Sequence, residues 1–247
     1  MVMSDVQYMP PPPPPPIVPP VVPPGPPLPP QFDFGRPFSF VFDDPRWLQK
    51  ILIGGLFYLA GFVLIGWFFI FGYVARTTRN LIAGAALPLP EWDDLGDFFS
   101  EGVRLFGVVL LYAIPFIIMA LVFIVPSLAL SSTGEEGLEA AGGVMFACVS
   151  CLLVPLSLVV LLFLPASLLF AVAEQRFGAA FELRRIWPFI RENIGNYLLA
   201  IVVYLIARFI GGAGTALLCI GVIFTGFWSV LISAHGFAQV YRLSSRR

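Results

Sequence analysis

The chain has 247 residues and a net charge of −1, and its composition is 58% hydrophobic but only 12% charged. The small charged fraction argues against an ordinary soluble domain, in which roughly a quarter of the residues are charged. The lack of net positive charge argues against a protein that binds nucleic acid. Several apolar runs exceed the roughly 18 residues that a helix needs to cross a bilayer, so we expect an all-α, multi-pass membrane protein.

The N-terminal segment is rich in proline. Fifteen prolines occur within residues 10–30. Proline fixes φ and lacks an N–H donor, so we expect a disordered tail over residues 1–35 that contains an extended polyproline II tract, followed by a helical membrane domain over 36–247. Two interpretations of the tract stay open. It is either a stiff spacer or a docking strip for a protein partner.

Five apolar runs follow, at residues 48–74, 103–130, 144–172, 196–210 and 215–240. As one straight helix the first would extend about 40 Å, beyond the ~30 Å hydrocarbon core. Glycines interrupt it, and Lys or Arg flanks both ends. We therefore expect two shorter helices that meet near Gly61, with one tilted span as the alternative. Pro115 and Pro126 are expected to bend the second run, and Pro188 is expected to begin a new helix before the fourth.

The Lys and Arg residues between the runs predict the orientation. Segments 76–104 and 174–192 and the C-terminal tail each carry three or more arginines, whereas segment 131–143 carries none. By the positive-inside rule the first three are cytoplasmic and the last is external. Two helices in the first run would also place the N-terminus in the cytoplasm, so we expect both termini on the inner side of the cell membrane.

Two segments that precede membrane helices have one apolar face and are expected to lie in the cytoplasmic interface. The first, residues 89–106, carries five carboxylates, and Asp93 or Asp94 is expected to cap its helix. The second, residues 181–199, carries Arg184, Arg185 and Arg191 opposite its apolar face. We expect the acidic and basic segments to pair across the cytoplasmic face. A cation-binding or proton-handling role for the acids is the alternative.

Tryptophans mark the entry to three of these membrane segments, each beside charged residues, as is typical of the membrane–water interface. With the charged side chains of the two interfacial segments they form the set of candidate interfacial and structural residues: Trp47, Trp92, Asp93, Asp94, Asp97, Arg184, Arg185, Trp187 and Arg191.

Other reactive residue types occur without the partners that catalysis needs. Cys148 and Cys151 share one face of an apolar helix, which favours a packing role over redox or metal chemistry. His235, the only histidine, is expected to hydrogen-bond across helices, with an intramembrane titrating role as the alternative. Arg208 is expected to extend to the headgroups. Nucleotide-binding, hydrolase and metalloprotease motifs are absent, so we expect no enzyme, cofactor or metal site.

Four stretches resemble one bacterial membrane-protein family, domain of unknown function 4013. They are DDPRWLQKILIGGL (43–56), GYVARTTRN (72–80), LPEWDDLGDFFSEGVRLF (89–106) and FGAAFELRRIWPFIRENIGNYLL (177–199). The resemblance covers about residues 40 to 242, and LPEWDD followed by G-x-x-x-F is its most specific part. It implies a multi-pass membrane protein of bacterial origin and carries no activity or catalytic residue. The proline tract lies outside it.

Two classes of function stay open. The first is a non-catalytic scaffold or accessory subunit in the lipid bilayer, with the proline tract as its docking strip for a protein partner. The second is a small transporter or lipid-handling protein with a cavity between proline-bent helices. Transporters usually carry charges or broken helices around a central site. Since polar residues are sparse in these runs, the sequence favours the first class.

Overall fold

The computed structural model describes residues 31–216 and 220–245, which are helical or in turns and loops, with no strand among them. The all-α class is therefore confirmed for this part of the chain. The proline tract, and with it the prediction for residues 1–30, lies outside it. Residues 31–35, assigned to the tail on sequence, already contact the helices. The amide N–H of Asp33 donates to Gln239 Oε1 at 3.0 Å, and Gln239 Nε2 donates back to the Asp33 carbonyl at 3.0 Å.

The first apolar run forms two helices. A short helix α1 (Arg36–Ser39) and a 3₁₀ turn lead into α2 (Trp47–Leu59), and a second 3₁₀ turn (Ala60–Val63) separates α2 from α3 (Ile65–Ala83). Leu64, between them, has a positive φ of 65°. The two helices fold back on each other, so that the rings of Phe57 and Phe69 stack across the turn with their centroids 4.6 Å apart. This is the two-helix arrangement that the glycines predicted.

The second run contains a change of helical type. Helix α4 (Leu95–Met119) continues through Pro115, and a π turn (Ala120–Ile124) joins it to α5 (Val125–Ser131). Pro126, in the first turn of α5, has no N–H and so cannot donate the usual helical hydrogen bond. The π turn before it accommodates this missing hydrogen bond. α4 is continuous from Leu95, so residues 95–106 are part of the long helix and not a separate interfacial one.

Helix α6 (Glu136–Glu174) has 39 residues and contains Pro155 and Pro165. It begins eight residues before the predicted run, in the segment expected to connect two spans. Glu136 and Glu139 lie in its first turn, where negative charge favours helix formation. A helix of this length extends about 58 Å, so it exceeds the ~30 Å hydrocarbon core unless it tilts or projects.

Three further helices complete the chain: α7 (Leu183–Glu192), α8 (Ile194–Ala213) and, after a 3₁₀ turn (Gly214–Ala216), α9 (Ile220–Ser244). Pro188 lies inside α7, so the expectation that it begins a new helix is wrong. Burial of Ile186, Phe189 and Ile190 on one side of α7 holds the helix through the missing hydrogen bond. The break before α8 falls at Asn193 instead.

Two buried groups of side chains hold the helices together. One joins the α2–α3 pair to α4 and α9 and includes Tyr73, Phe98 and Phe227. The other joins α6 and α7 to α8 and α9. Four helices of the described residues are long and apolar enough to cross a membrane, and these are Leu95–Ser131, Glu136–Glu174, Ile194–Ala213 and Gly221–Ser244. They support a membrane protein that contacts the lipid bilayer.

Candidate functional site

The only lysine in the chain, Lys50, is buried at the start of α2. Its Nζ donates to Asp44 Oδ2 at 2.6 Å and to the Leu89 carbonyl at 2.8 Å, and it lies 2.7 Å from Glu91 Oε1. The Lys50 and Asp44 side chains are 5% and 3% exposed, so this pair is largely removed from solvent. Two of the three N–H donors of the ammonium group are therefore used in hydrogen bonds, and Glu91 adds a second ion pair.

The loop before α4 is held by side chains from both helices of the α2–α3 pair. Three consecutive carbonyls, those of Pro88, Leu89 and Pro90, accept from Asn80 Nδ2 at 2.9 Å, Lys50 Nζ at 2.8 Å and Tyr73 Oη at 3.0 Å, respectively. Two of these residues are prolines, which have no N–H of their own. The loop therefore depends on these side chains for its position, and it places the carboxylates that follow.

Four of the five carboxylates of residues 91–101, all except Asp93, pair with basic residues at the start of α2 and in the C-terminal half of α3. Arg46 Nη2 lies 2.7 Å from Glu91 Oε1, Arg76 Nη2 lies 3.3 Å from Asp97 Oδ2, and Arg79 pairs with Glu101. Asp94 caps α4 through Oδ1, which accepts from the Asp97 N–H at 3.3 Å, and the cap prediction is met by Asp94 and not by Asp93. We refer to the set Asp44, Arg46, Lys50, Arg76, Arg79, Glu91, Asp94, Asp97 and Glu101 as the charged base.

The predicted pairing of the acidic segment with Arg184, Arg185 and Arg191 does not occur in the structure. Arg185 instead lies 2.8 Å from Glu182 Oε2 and also pairs with Glu174. Hydrogen bonds from Arg185 and Arg176 hold the pKa of the Glu182 carboxyl below its usual value. α4 packs against α3, whose arginines are therefore within reach, whereas α7 packs against α6 and α8. Arg184 and Arg191 are exposed on α7.

The three candidate tryptophans lie in different surroundings. Trp92 is half-buried against the core, where it stacks on Tyr73 at 4.2 Å and donates from Nε1 to the Lys50 carbonyl at 3.0 Å. Trp47 is half-buried beside Phe42. Trp187 is 50% exposed and stacks on Phe163. Asp93, next to Trp92, is exposed. Trp92 is thus a structural residue that joins α2, α3 and the loop before α4.

A cavity of about 570 Å³ opens between α6 and the other long helices. Its wall comes from α3, α4, α6, α8 and α9 and is mainly apolar. The polar side chains on this wall are few: Thr78, Ser157, Tyr204, Arg208, Ser229 and Ser233. Ser229 and Ser233 donate to carbonyls of their own helix, those of Gly226 and Ser229, so their protons are already used.

One proline borders this cavity. Pro165 lies in its wall and leaves the Leu161 carbonyl of α6 without its usual helical donor. The next carbonyl, that of Leu162, accepts from the Tyr197 hydroxyl of α8 at 2.6 Å. This contact joins α8 to α6, and Tyr204 and Arg208 further along α8 line the cavity.

Among the described residues, Arg208 is the one charged side chain on the cavity wall, and it is exposed there. It was expected only to extend toward headgroups, and its place on the cavity wall is new information from the structure. No carboxylate of the described residues lies within ion-pair distance of Arg208, in contrast to the arginines of the charged base. A cavity between proline-bent helices was one of the two alternatives on sequence, but its lining residues could not be predicted, because the wall is assembled from five helices.

The remaining candidate groups show no cluster. Cys148 and Cys151 are free and exposed on α6, and no group of three His, Cys, Asp or Glu in residues 31–216 and 220–245 is placed to hold a metal ion. His235 is buried, with Nδ1 3.1 Å from Gln239 Nε2 on the same helix. The expected hydrogen bond from His235 to another helix is thus replaced by one within α9. Gln239 in turn accepts a hydrogen bond from the Asp33 N–H.

Comparison with known proteins places the chain in a family. No curated protein and no solved structure matches it. A family model described as "Protein of unknown function (DUF4013)" matches residues 55–220, more than half of the chain. This range includes α3, the loop before α4, α4 to α8, and all of the cavity wall except the part from α9. As the four resembling stretches predicted, the chain belongs to the DUF4013 family.

Proposed function

We propose that the protein handles lipid, and that it binds a lipid-like molecule in the cavity between α6 and helices α3, α4, α8 and α9. The observation that carries the proposal is the cavity itself, of about 570 Å³. Small-molecule sites in proteins usually have volumes of roughly 300–1,000 Å³ and mainly apolar walls. The transport or lipid-handling class is thereby favoured over the scaffold class, which the low polarity of the spans had favoured on sequence.

The lining supports a molecule with a long apolar part. Along α6 the wall runs from Ser157 to Val172, and along α3 from Trp67 to Thr78. These stretches correspond to about 22 Å and 16 Å of helix. An elongated, largely apolar space suits an acyl chain better than a compact polar solute. The proposed role requires no catalytic step and no cofactor.

The proposed setting is the cell membrane of a bacterium, with the N- and C-termini in the cytoplasm. The charged base carries basic residues, and so do residues 174–192. By contrast, residues 131–143 contain three glutamates and no Lys or Arg. The positive-inside rule assigns the basic groups to the cytoplasmic side. The cavity would then open sideways to lipid.

Filling the cavity tests the proposal. Ala234 lies on the wall, so Ala234→Phe should occupy space that a lipid chain needs. Ala129→Phe is the matched control, because Ala129 is exposed on α5 and outside the wall. Native mass spectrometry of the gently purified full chain should detect retained lipid with the unchanged protein and with Ala129→Phe, and markedly less with Ala234→Phe. Equal retention by all three proteins would contradict the proposal.

A scaffold or accessory role is the second candidate. It is supported by the apolar surface of α6 and of the π turn after α4, where Leu152, Leu121 and Val122 are 61%, 65% and 54% exposed. Other membrane helices could cover this surface, and the proline tract could dock a cytoplasmic partner. Co-purification with the full chain and with a version lacking residues 1–30 separates the roles, because a protein partner lost with the tract would support the scaffold.

A further inference from the structure

We infer that Arg208 selects the headgroup of the molecule in the cavity, and that this molecule is an anionic lipid whose carboxylate or phosphate pairs with the guanidinium. The inference rests on the proposed function and adds the chemical class of the ligand. It depends on three observations: the position of Arg208 on the cavity wall, the absence of a protein counter-charge near it among the described residues, and the apolar space beyond it.

The first step concerns charge. Arg208 is the only charged residue in the sequence between Glu192 and Arg242. Several arginines elsewhere in the described residues have a protein partner, whereas Arg184, Arg191 and Arg242, all outside the cavity wall, form no ion pair within those residues. Arg46, Arg76 and Arg79 pair with carboxylates. Arg104 donates to the Gln175 carbonyl at 2.9 Å. Outside the described residues the only carboxylate side chain is that of Asp5, in the N-terminal segment.

The second step concerns cost. A charged side chain within a membrane span is unfavourable, and such residues usually mark ligand or ion paths. Arg208 lies fourteen residues beyond the first residue of α8 and five before the last. It is therefore about 7 Å from the end of the helix, within reach of a headgroup. A paired anion would offset the cost through charge-assisted hydrogen bonds.

The third step concerns direction. α8 and α9 run antiparallel, as the close approach of Gly211 to Ser229 and of Gly236 to Val203 requires. Arg208 therefore faces α9 between Ser229 and Gly236. From there the α9 part of the wall continues to Phe237, toward the C-terminal end of α9. Tyr204 is one turn from Arg208 on the same face of α8, on the side toward Phe237. A headgroup on Arg208 would thus place its chain along Ser233 and Phe237.

Bulk headgroups of the surrounding bilayer are the competing source of anions for Arg208. They would neutralise it without any molecule in the cavity, and they would act equally on exposed arginines elsewhere. Arg191, exposed on α7 and outside the cavity wall, supplies the control for this case. Arg191→Gln and Arg208→Gln remove the same charge, but only the second removes it from the cavity.

The test uses the full chain, stripped of lipid in detergent, with phosphatidylglycerol, phosphatidylcholine or oleate added at equal concentration and bound molecules counted by native mass spectrometry. We expect phosphatidylglycerol and oleate to bind roughly tenfold more tightly than phosphatidylcholine, the factor typical of hydrogen bonds to a charged partner. Arg208→Gln should lose this preference, Arg208→Lys should keep part of it, and Arg191→Gln should keep it all.

The outcomes separate the two proposals. If Arg208→Gln keeps the preference while Ala234→Phe lowers lipid binding, the cavity binds lipid but Arg208 does not select the headgroup, and the inference is overturned. If Ala234→Phe leaves binding unchanged, the proposed function fails. Free phosphate is the last arm. Displacement of phosphatidylglycerol by millimolar phosphate would identify a simple anion site and overturn the assignment to a lipid, whereas no displacement supports it.

Discussion

At the scale of single residues, Lys50 shows how a charge becomes part of the interior. A buried ammonium is tolerated only when it is paired and hydrogen-bonded, and here Asp44 and the Leu89 carbonyl accept hydrogen bonds while Asp44 and Glu91 supply negative charge. These oxygens come from two segments about forty residues apart in the chain. The contact therefore fixes the entry to α2 against the loop that leads into α4.

Removal of this ammonium should be costly. Lys50→Met keeps most of the side-chain volume but leaves Asp44 as a buried carboxylate without its cation, so we expect a loss of about 3–5 kcal/mol of folding free energy. Circular dichroism of the purified protein during denaturant unfolding in detergent measures this loss of folding free energy. Arg46→Gln is the control, because the Arg46 side chain is 63% exposed and its ion pair should contribute at most about 1 kcal/mol. Equal losses for both variants would refute a special role for Lys50.

Asp44 should also give the stability a defined dependence on pH. Burial by itself raises the pKa of Asp44, but the hydrogen bonds from Lys50 and the Arg46 N–H, together with both positive charges, lower it below the usual value. A carboxyl whose folded pKa is lower than its unfolded pKa stabilises the protein above the unfolded value of about 3.9. That contribution is lost as the pH falls from there through the folded pKa.

The difference between the unchanged protein and Asp44→Asn isolates this group from other carboxylates. We expect the unchanged protein to be more stable at pH 6, and the difference to shrink as the pH is lowered below about 4. The readout is the denaturation midpoint at a series of pH values. A difference that stays constant over the whole range would show that Asp44 does not titrate as the pKa direction requires.

The sequence was informative at this scale where a residue acts on its own helix. Asp94 could be predicted as the cap of α4 because a cap depends on the next three residues. The partners of Lys50 and of Arg185 could not be predicted, since they depend on which helices become neighbours. Lys50 did offer one signal, because a lone lysine beside an apolar run is unusual. The positive-inside rule, however, treats this lysine only as a marker of orientation.

At the scale of helices, the contact between α3 and α4 is governed by two glycines. A Cβ on Gly72 would overlap the Phe98 carbonyl, and a Cβ on Gly102 would overlap the Phe68 carbonyl. Both obstacles are backbone atoms, which cannot rotate away as a side chain can. Small residues let two helices approach closely, and in membranes such contacts replace the hydrophobic driving force between helices.

Gly102→Ala should therefore weaken the α3–α4 contact. We expect a loss of about 1–3 kcal/mol, since overpacking at a tight contact forces the backbones apart. Gly96→Ala is a close control on the same helix, because a Cβ there meets no atom within 4 Å. It should be neutral or slightly stabilising through its better helix propensity. A smaller loss for Gly102→Ala than for Gly96→Ala in the same unfolding assay would contradict the close packing.

The sequence predicted helices better than their ends. Apolar length and glycine spacing identified the break in the first run, because Leu64 and the turn before it are local features. The start of α6 and the continuity of α7 through Pro188 were missed. In both cases the helix is stabilised by something that a run of apolar residues does not record, namely the acidic first turn of α6 and the buried side of α7.

At the scale of the whole molecule, composition alone was enough to predict a helical membrane protein, because a backbone in lipid has few alternatives. A cavity was only one of two alternatives on sequence, and its lining could not be predicted in the same way. Its wall combines stretches of five helices, so its position depends on how they pack together. Arg208 was visible in the sequence, but its position on that wall required the packing of all five.

The orientation is the last prediction, and it links the two-helix first run to the positive-inside rule. In a version with Cys148, Cys151 and Cys219 replaced by Ala, single cysteines can be introduced at exposed positions on each proposed side. A membrane-impermeant maleimide should label Ser132→Cys in intact cells, because the turn after α5 is proposed to be external. Asp93→Cys and Gln31→Cys should react only after the cells are opened.

Each position has its own meaning in this experiment. Labelling of Asp93→Cys in intact cells would invert the proposed orientation, and the cytoplasmic assignment of the charged base would fall with it. Labelling of Gln31→Cys alone would place the two ends of the first run on opposite sides, which requires the run to cross the membrane. Protection of both, with Ser132→Cys reactive, would leave α2 and α3 as a pair that enters and leaves on the cytoplasmic side. The Arg208 end of the cavity would then face the outer leaflet, which is where the anionic lipid would have to be supplied.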